Sequence, residues 1–181
     1  MGLFTEEDIS PERTFSKMEL AAGIVAQFEL DIKGMHGLSH WKKVLKLGLY
    51  LVDCHWTIPS NLRSCGKELI GYFAFLHDSK RENDGRDPEH GLRAAKYARE
   101  LHKKGLLHLW EGQLEDLCFA LQHHSNPKSK SDDPFIQICW DADRLDLWRV
   151  GITPDEKYLH TDVAKEVLKQ MENGPIEIEM K

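Results

Sequence analysis

The stretch Gly71-Tyr72-Phe73-Ala74-Phe75-Leu76-His77-Asp78 decides how the rest of the chain is read. An apolar run stops at a histidine followed by an aspartate, and the chain turns polar at once through Ser79, Lys80, Arg81, Glu82, Asn83 and Asp84. A helix over residues 67–76 would carry the apolar part into a core and leave an imidazole and a carboxylate at its buried end. A buried charge needs a partner, and a metal ion is the partner these two side-chain types share.

Working outward, His36-Gly37-Leu38-Ser39-His40-Trp41-Lys42-Lys43-Val44 opens an apolar helix upstream, and Asp141-Ala142-Asp143-Arg144-Leu145-Asp146 stands downstream. The order His, then His-Asp, then Asp, each on its own helix, resembles the HD-domain superfamily of metal-dependent phosphohydrolases over residues 36–155. The resemblance implies an all-α fold, a compact HD-domain helical bundle with a metal site at its centre. The chain of residues 1–181 then reads as one HD domain with N- and C-terminal helical extensions.

By that resemblance His40, His77 and Asp78 are metal ligands and one of the late aspartates is the fourth. In the family the last ligand precedes Arg or Lys and an apolar residue, which selects Asp143 and leaves Asp141 as a neighbouring acceptor or a helix N-cap. Two imidazoles and two carboxylates suit Mn, Fe, Co, Ni or Zn better than Mg, which prefers an all-oxygen shell. The ion would activate a water against a small phosphate ester or nucleotide. Asp78 is thereby also a catalytic candidate. Arg144, beside Asp143, is a candidate phosphate clamp and catalytic residue, because a guanidinium pairs with phosphate through two hydrogen bonds. Lys80, Arg81 and Arg86, in the loop after the His-Asp pair, are further candidates for phosphate binding.

His90 opens a helix one turn before Arg93, and His123-His124 closes another. Some HD-domain proteins use extra histidines between the His-Asp pair and the last Asp for a second metal. His90 with His123 or His124 could do so here, giving one ion or two. Alternatively, His90 or His123 acts catalytically, orienting the water or protonating the leaving group. His36 lies four residues before His40, but Gly37 argues against continuous helix there, so His36 is at most a neighbour of the ligands. The Glu or Ile-Gly-Lys that many nucleotide-cleaving members carry after the His-Asp pair is replaced by Ser79-Lys80-Arg81-Glu82, and there is no Gly-Tyr-Pro signature. The loop is most similar to small stand-alone HD proteins, mostly bacterial, with the pattern His-Asp-x-x-Arg-x-x-Asp-Gly.

The whole chain sets the frame. It has 181 residues, 41% hydrophobic and 30% charged, with a net charge of −6. That balance suits a globular domain and argues against nucleic-acid polymers and membrane surfaces as partners. The expected partner is a small phosphorylated substrate, bound by a monomer or homodimer. The four cysteines form no Cys-x-x-Cys and suggest free thiols, and no leader or membrane span is evident, so a cytoplasmic protein is expected.

Apolar spacing predicts helices over residues 15–32, 39–54, 67–76, 88–104, 110–123, 135–150 and 161–173. Further helix starts are expected at Thr5 and, from a Thr153-Pro154-Asp155-Glu156 capping box, at Pro154. Asp87 is expected to cap the fourth of these helices, and the loops after Asp78 and Asn126 to be polar. Two other readings compete with a phosphohydrolase. One is a di-iron oxygenase on the same fold. The other is a non-catalytic module that binds metal or nucleotide.

Overall fold

A computed structural model of the chain describes the backbone of residues 11–174 and the side chains of residues 19–174. Among the described residues it contains seven α-helices and no strand. They are α1 (Pro11–Ala26), α2 (Leu38–Cys54), α3 (Ser60–Leu76), α4 (His90–Lys103), α5 (Glu111–His123), α6 (Pro134–Arg144) and α7 (Asp162–Glu172). The helix start expected at Thr5 and the alternating tail at 176–180 lie outside the described residues.

The dense apolar run in α2 has a packing reason. Trp41, Val44, Leu47, Leu51 and Val52 are buried because α2 is covered by α3 on one side and α6 on another. Close approach needs small residues at the crossing. A Cβ on Gly48 would lie 2.5 Å from the Ile70 side chain, and one on Gly66 would meet the Phe135 ring. Trp41, Phe73 and Trp140 are among the largest fully buried side chains, and α4 lies along α5 to complete the bundle. Trp56 and Trp110, by contrast, are exposed. Cys54, Cys65, Cys118 and Cys139 are free thiols. Among the described residues no helix is long and apolar enough to cross a membrane.

Several boundaries differ from the sequence reading. α1 is described from Pro11, and it ends at Ala26 instead of reaching Ile32. The Gln27 side chain folds back onto the Ile24 carbonyl at 2.8 Å and also binds Ser79 O at 3.2 Å, which ties the end of α1 to the His-Asp corner. α3 begins at Ser60, a turn and more before the expected Lys67. Asp87 does not cap α4. Its carboxylate accepts from the Glu82 amide at 2.9 Å and pairs with Arg93 at 2.5 Å, bracing the polar loop. The segment expected to run helical to Val150 breaks after Arg144 into a 3₁₀ turn at Leu147–Val150. The presumed capping box at Thr153 yields only a short 3₁₀ turn, Glu156–Tyr158. Asp133, with Pro134 at the first helical position, is the true cap of α6, accepting from Phe135 N and Ile136 N.

Candidate metal centre

α3 delivers His77 and Asp78 from its C-terminal end, and both are buried. α2 supplies His40 from its first turn, and α6 supplies Asp143 from its last. These four side chains meet. His40 Nε2 lies 2.9 Å from His77 Nε2, 3.2 Å from Asp143 Oδ1 and 3.7 Å from Asp78 Oδ2. His77 Nε2 is 3.7 Å from Asp78 Oδ2 and 3.8 Å from Asp143 Oδ1. Ligand atoms about 2.1 Å from one ion stand roughly 3.0–3.5 Å apart, so these spacings have the scale of a coordination shell.

The other oxygen of Asp78 faces a second group. Oδ1 lies 3.3 Å from His90 Nε2 and 3.8 Å from His124 Nε2, and the two rings approach to 2.8 Å between Nε2 atoms. Two buried groups could therefore hold a metal ion, His40 with His77 and Asp78, and His90 with His124 and Asp78. Asp78 belongs to both, one oxygen to each.

The hydrogen bonds on the far side of each ring fix its tautomer. His77 Nδ1 donates to Ala74 O at 3.0 Å, His124 Nδ1 to Leu121 O at 2.7 Å, and His90 Nδ1 to Asp87 O. A carbonyl only accepts, so these nitrogens carry a proton, and the neutral form of each ring turns a bare Nε2 inward. His40 Nδ1 is held by Asp146 Oδ2 at 2.8 Å, and Lys43 pairs with the other oxygen of Asp146 at 2.6 Å. A carboxylate behind a ligating imidazole orients the ring and raises its basicity.

Electrostatics follow from burial and neighbours. Burial pushes the His77 imidazole down to about 3 and that of His90 down to about 4, so both are neutral near pH 7. Burial also lowers His40, but Asp143 and Asp146 outweigh it and hold its pKa above the ordinary value. Burial alone would raise the carboxyls of Asp78 and Asp143. The surrounding imidazoles reverse that, with His77 acting foremost on Asp78 and His40 on Asp143, and both carboxyls stay well below the ordinary range. The centre thus presents two carboxylates and inward imidazole lone pairs, a donor set that fits a divalent ion.

The remaining candidates separate clearly. Asp141 is fully buried away from the centre. It accepts from His160 N, Thr161 N and Thr161 Oγ1, each at 2.8 Å, and so anchors the start of α7. It is neither a ligand nor an N-cap of its own helix. His123 belongs to neither group and rests on the Phe119 ring, 4.6 Å between centroids. Arg144 is buried, with Nη1 donating to Tyr158 O at 2.6 Å and Nη2 to Asn126 O at 3.3 Å. Its donors are used in holding two loops, which argues against the clamp role expected of it. Lys80 lies over the Tyr97 ring and Arg86 is exposed. Of the loop cations only Arg81 turns inward, with Nη1 3.4 Å from both Asp78 Oδ1 and His90 Nε2 and Nη2 on Gly85 O at 2.7 Å.

Three residues at the centre had no role assigned from sequence or only a marginal one. His36 donates from Nδ1 to Asp78 Oδ2 at 2.8 Å. Asp146 holds His40. Arg149 reaches the site from the 3₁₀ turn, with Nη2 3.6 Å from Asp78 Oδ2 and 3.9 Å from Asp143 Oδ1. Asp143, Asp146 and Arg149 recur every three residues, but the chain is α-helical at Asp143 and 3₁₀ only over Leu147–Val150, so that spacing alone does not single out Arg149.

Comparison of the chain with family models, curated proteins and solved structures gives no match. The helical fold with His/Asp groups that could bind metal is compatible with an HD domain.

Proposed function

We propose that this chain is an HD-type metal-dependent phosphohydrolase acting on a small phosphate ester or nucleotide, with two transition-metal ions sharing Asp78. The observation that carries the reading is the double use of Asp78, whose two oxygens face two separate sets of imidazoles fixed as Nε2 donors. Divalent ions held there would supply Lewis acidity at phosphorus and a water acidified toward neutral pH.

The chain's own residues do the rest. His40, His77 and Asp143 hold one side of the centre, and His90 and His124 the other. His36 and Asp146 keep Asp78 and His40 in register through 2.8 Å hydrogen bonds. Arg81 places a fixed positive charge beside Asp78 in a protein of net charge −6. An anionic substrate needs such local charge, because the field of the whole molecule repels it.

Elemental analysis of purified protein, with a panel of phosphomonoesters and phosphodiesters assayed after loading with Mn, Co, Fe or Zn, tests the reading. Metal-dependent release of phosphate or alcohol is expected. Metal binding with no turnover on any ester would replace it with a binding module. A carboxylate shared between two nitrogen-rich groups also suits a di-iron oxygenase. Iron-dependent colour with oxygen uptake, and no phosphate release, would favour that reading.

A further inference from the structure

Arg149 is the one guanidinium at the centre whose inward nitrogen makes no hydrogen bond among the described residues. Its Nε donates to Met35 O at 2.9 Å and its Nη1 to Asp146 O at 3.3 Å, so the stem and one edge of the fork are fixed by main chain. Nη2 remains. The carboxylate oxygens it faces, Asp78 Oδ2 and Asp143 Oδ1, are 3.6 and 3.9 Å away, beyond hydrogen-bond reach. These are the carboxylate oxygens that face His40 and His77. Arg149 therefore stands beside both anionic members of the first group with two N–H bonds to spare, and its side chain is still 15% exposed. Arg81 differs, since its Nε and Nη2 bind Asn83 O and Gly85 O and its Nη1 is shared between Asp78 and His90.

The charge count at the centre indicates what such a group would hold. Asp78 and Asp143 carry two negative charges, and Arg81 and Arg149 carry two positive ones. Lys43 pairs with Asp146, and ligating imidazoles are neutral. The protein part is balanced, so each divalent ion leaves two positive charges over. A dianionic terminal phosphate offsets that excess better than a singly charged diester.

We propose that Arg149 binds a non-bridging phosphoryl oxygen and selects a phosphate monoester, the dianion, over a phosphodiester. The proposal rests on the phosphohydrolase reading.

Calorimetry on the metal-loaded protein tests it without turnover, using inorganic phosphate as the dianion probe and dimethyl phosphate as the diester probe. Wild-type protein should bind inorganic phosphate at least about 10-fold more tightly than dimethyl phosphate. Arg149→Ala should weaken phosphate binding by roughly 10- to 100-fold, the scale of a charge-assisted hydrogen bond, with metal content unchanged. Arg149→Lys should recover part of the loss, and it decides the matter if the alanine variant fails to fold. In turnover, the monoester-to-diester ratio of kcat/KM should fall in both variants. Unchanged phosphate affinity in Arg149→Ala, or a wild-type preference for dimethyl phosphate, overturns this assignment and leaves the phosphohydrolase reading intact. A metal-loaded wild type that binds neither probe and cleaves neither ester class overturns both.

Discussion

His90 and His124 stand 2.8 Å apart between Nε2 atoms, although each ring already commits its Nδ1 proton to a main-chain carbonyl. Where each ring carries that proton alone, two lone pairs face each other across a hydrogen-bond distance. His90 does not supply a proton at neutral pH, because burial holds its pKa near 4. The arrangement is favourable when a cation lies on the same side as both lone pairs, and Asp78 Oδ1 is placed there as a third donor.

This pair gives the first prediction. Wild-type protein dialysed against Mn or Zn should retain about two equivalents, His90→Ala about one, and Asp78→Ala the least, since both groups lose an anionic donor. Elemental analysis reads the ratio. A His90→Ala protein that still holds two ions would remove the second group from the metal centre.

The second prediction concerns acid. In the metal-free protein His77 takes up a proton only near pH 3 and His90 near pH 4, whereas in the unfolded chain both do so near 6.5. Between these limits the unfolded state binds more protons at these two imidazoles, which outnumber the raised His40 acting in the opposite sense, so stability falls as pH drops below about 6.5, and the fall continues toward pH 4. The depressed carboxyls of Asp78 and Asp143 act in the same direction once the pH falls below the range in which unfolded carboxyls take up protons. Melting temperature measured from pH 7.5 to 4.5 in chelator should decline through this window, and His90→Gln should flatten part of the slope. A flat profile in the metal-free protein would mean that these imidazoles are not buried neutral.

Much of this centre was legible in the sequence. Apolar runs ending at His77 and beginning after His40 put both residues at helix ends facing a core, and the resemblance to HD domains paired them with Asp143. The choice of His124 over His123 was also within reach. Leu114, Leu117 and Leu121 mark the buried stripe of α5, and residue 124 continues it at a spacing of three, while His123 lies four past the exposed Phe119. Arg149 was hidden because the helical reading ran on to Val150. A switch to 3₁₀ after Arg144 changes which residues share a face, and apolar periodicity does not announce such a switch. Arg144 and Asp141 misled for a different reason. Each is a charged residue beside a ligand in sequence, and the α-helix turns both away from Asp143 into a buried network with Thr161, His160 and Tyr158.

That network yields the third prediction. Arg144→Ala removes the charged donor of two part-buried hydrogen bonds, to Tyr158 O and Asn126 O, and empties the buried space that the guanidinium fills. A loss of about 2–4 kcal/mol is expected, lowering the melting temperature by roughly 5–10 °C. Metal content and KM should stay near wild type. A large rise in KM with an unchanged melting temperature would restore Arg144 to the substrate.

The last prediction turns on a glycine. His90 and His124 meet only because the first turn of α4 lies against the end of α5, and Gly91 is the residue at that contact. A Cβ at position 91 would stand 2.4 Å from Leu121 O and 3.0 Å from Gln122 O. Both are main-chain atoms, so no side chain can rotate out of the way. The Leu121 carbonyl also accepts from His124 Nδ1, and Gly91 directly follows His90. Gly91→Ala should therefore force the helix ends apart and cost about 1–3 kcal/mol, the usual scale of overpacking. The displacement falls on the second imidazole pair and spares His40 and His77, which α2 and α3 hold independently. Titration with Mn or Zn should show the weaker of two binding steps lost or reduced at least about 10-fold and the stronger step retained. Equal weakening of both steps would mean that the strain spreads through Asp78. No change in either would show that α4 does not set the distance between His90 and His124.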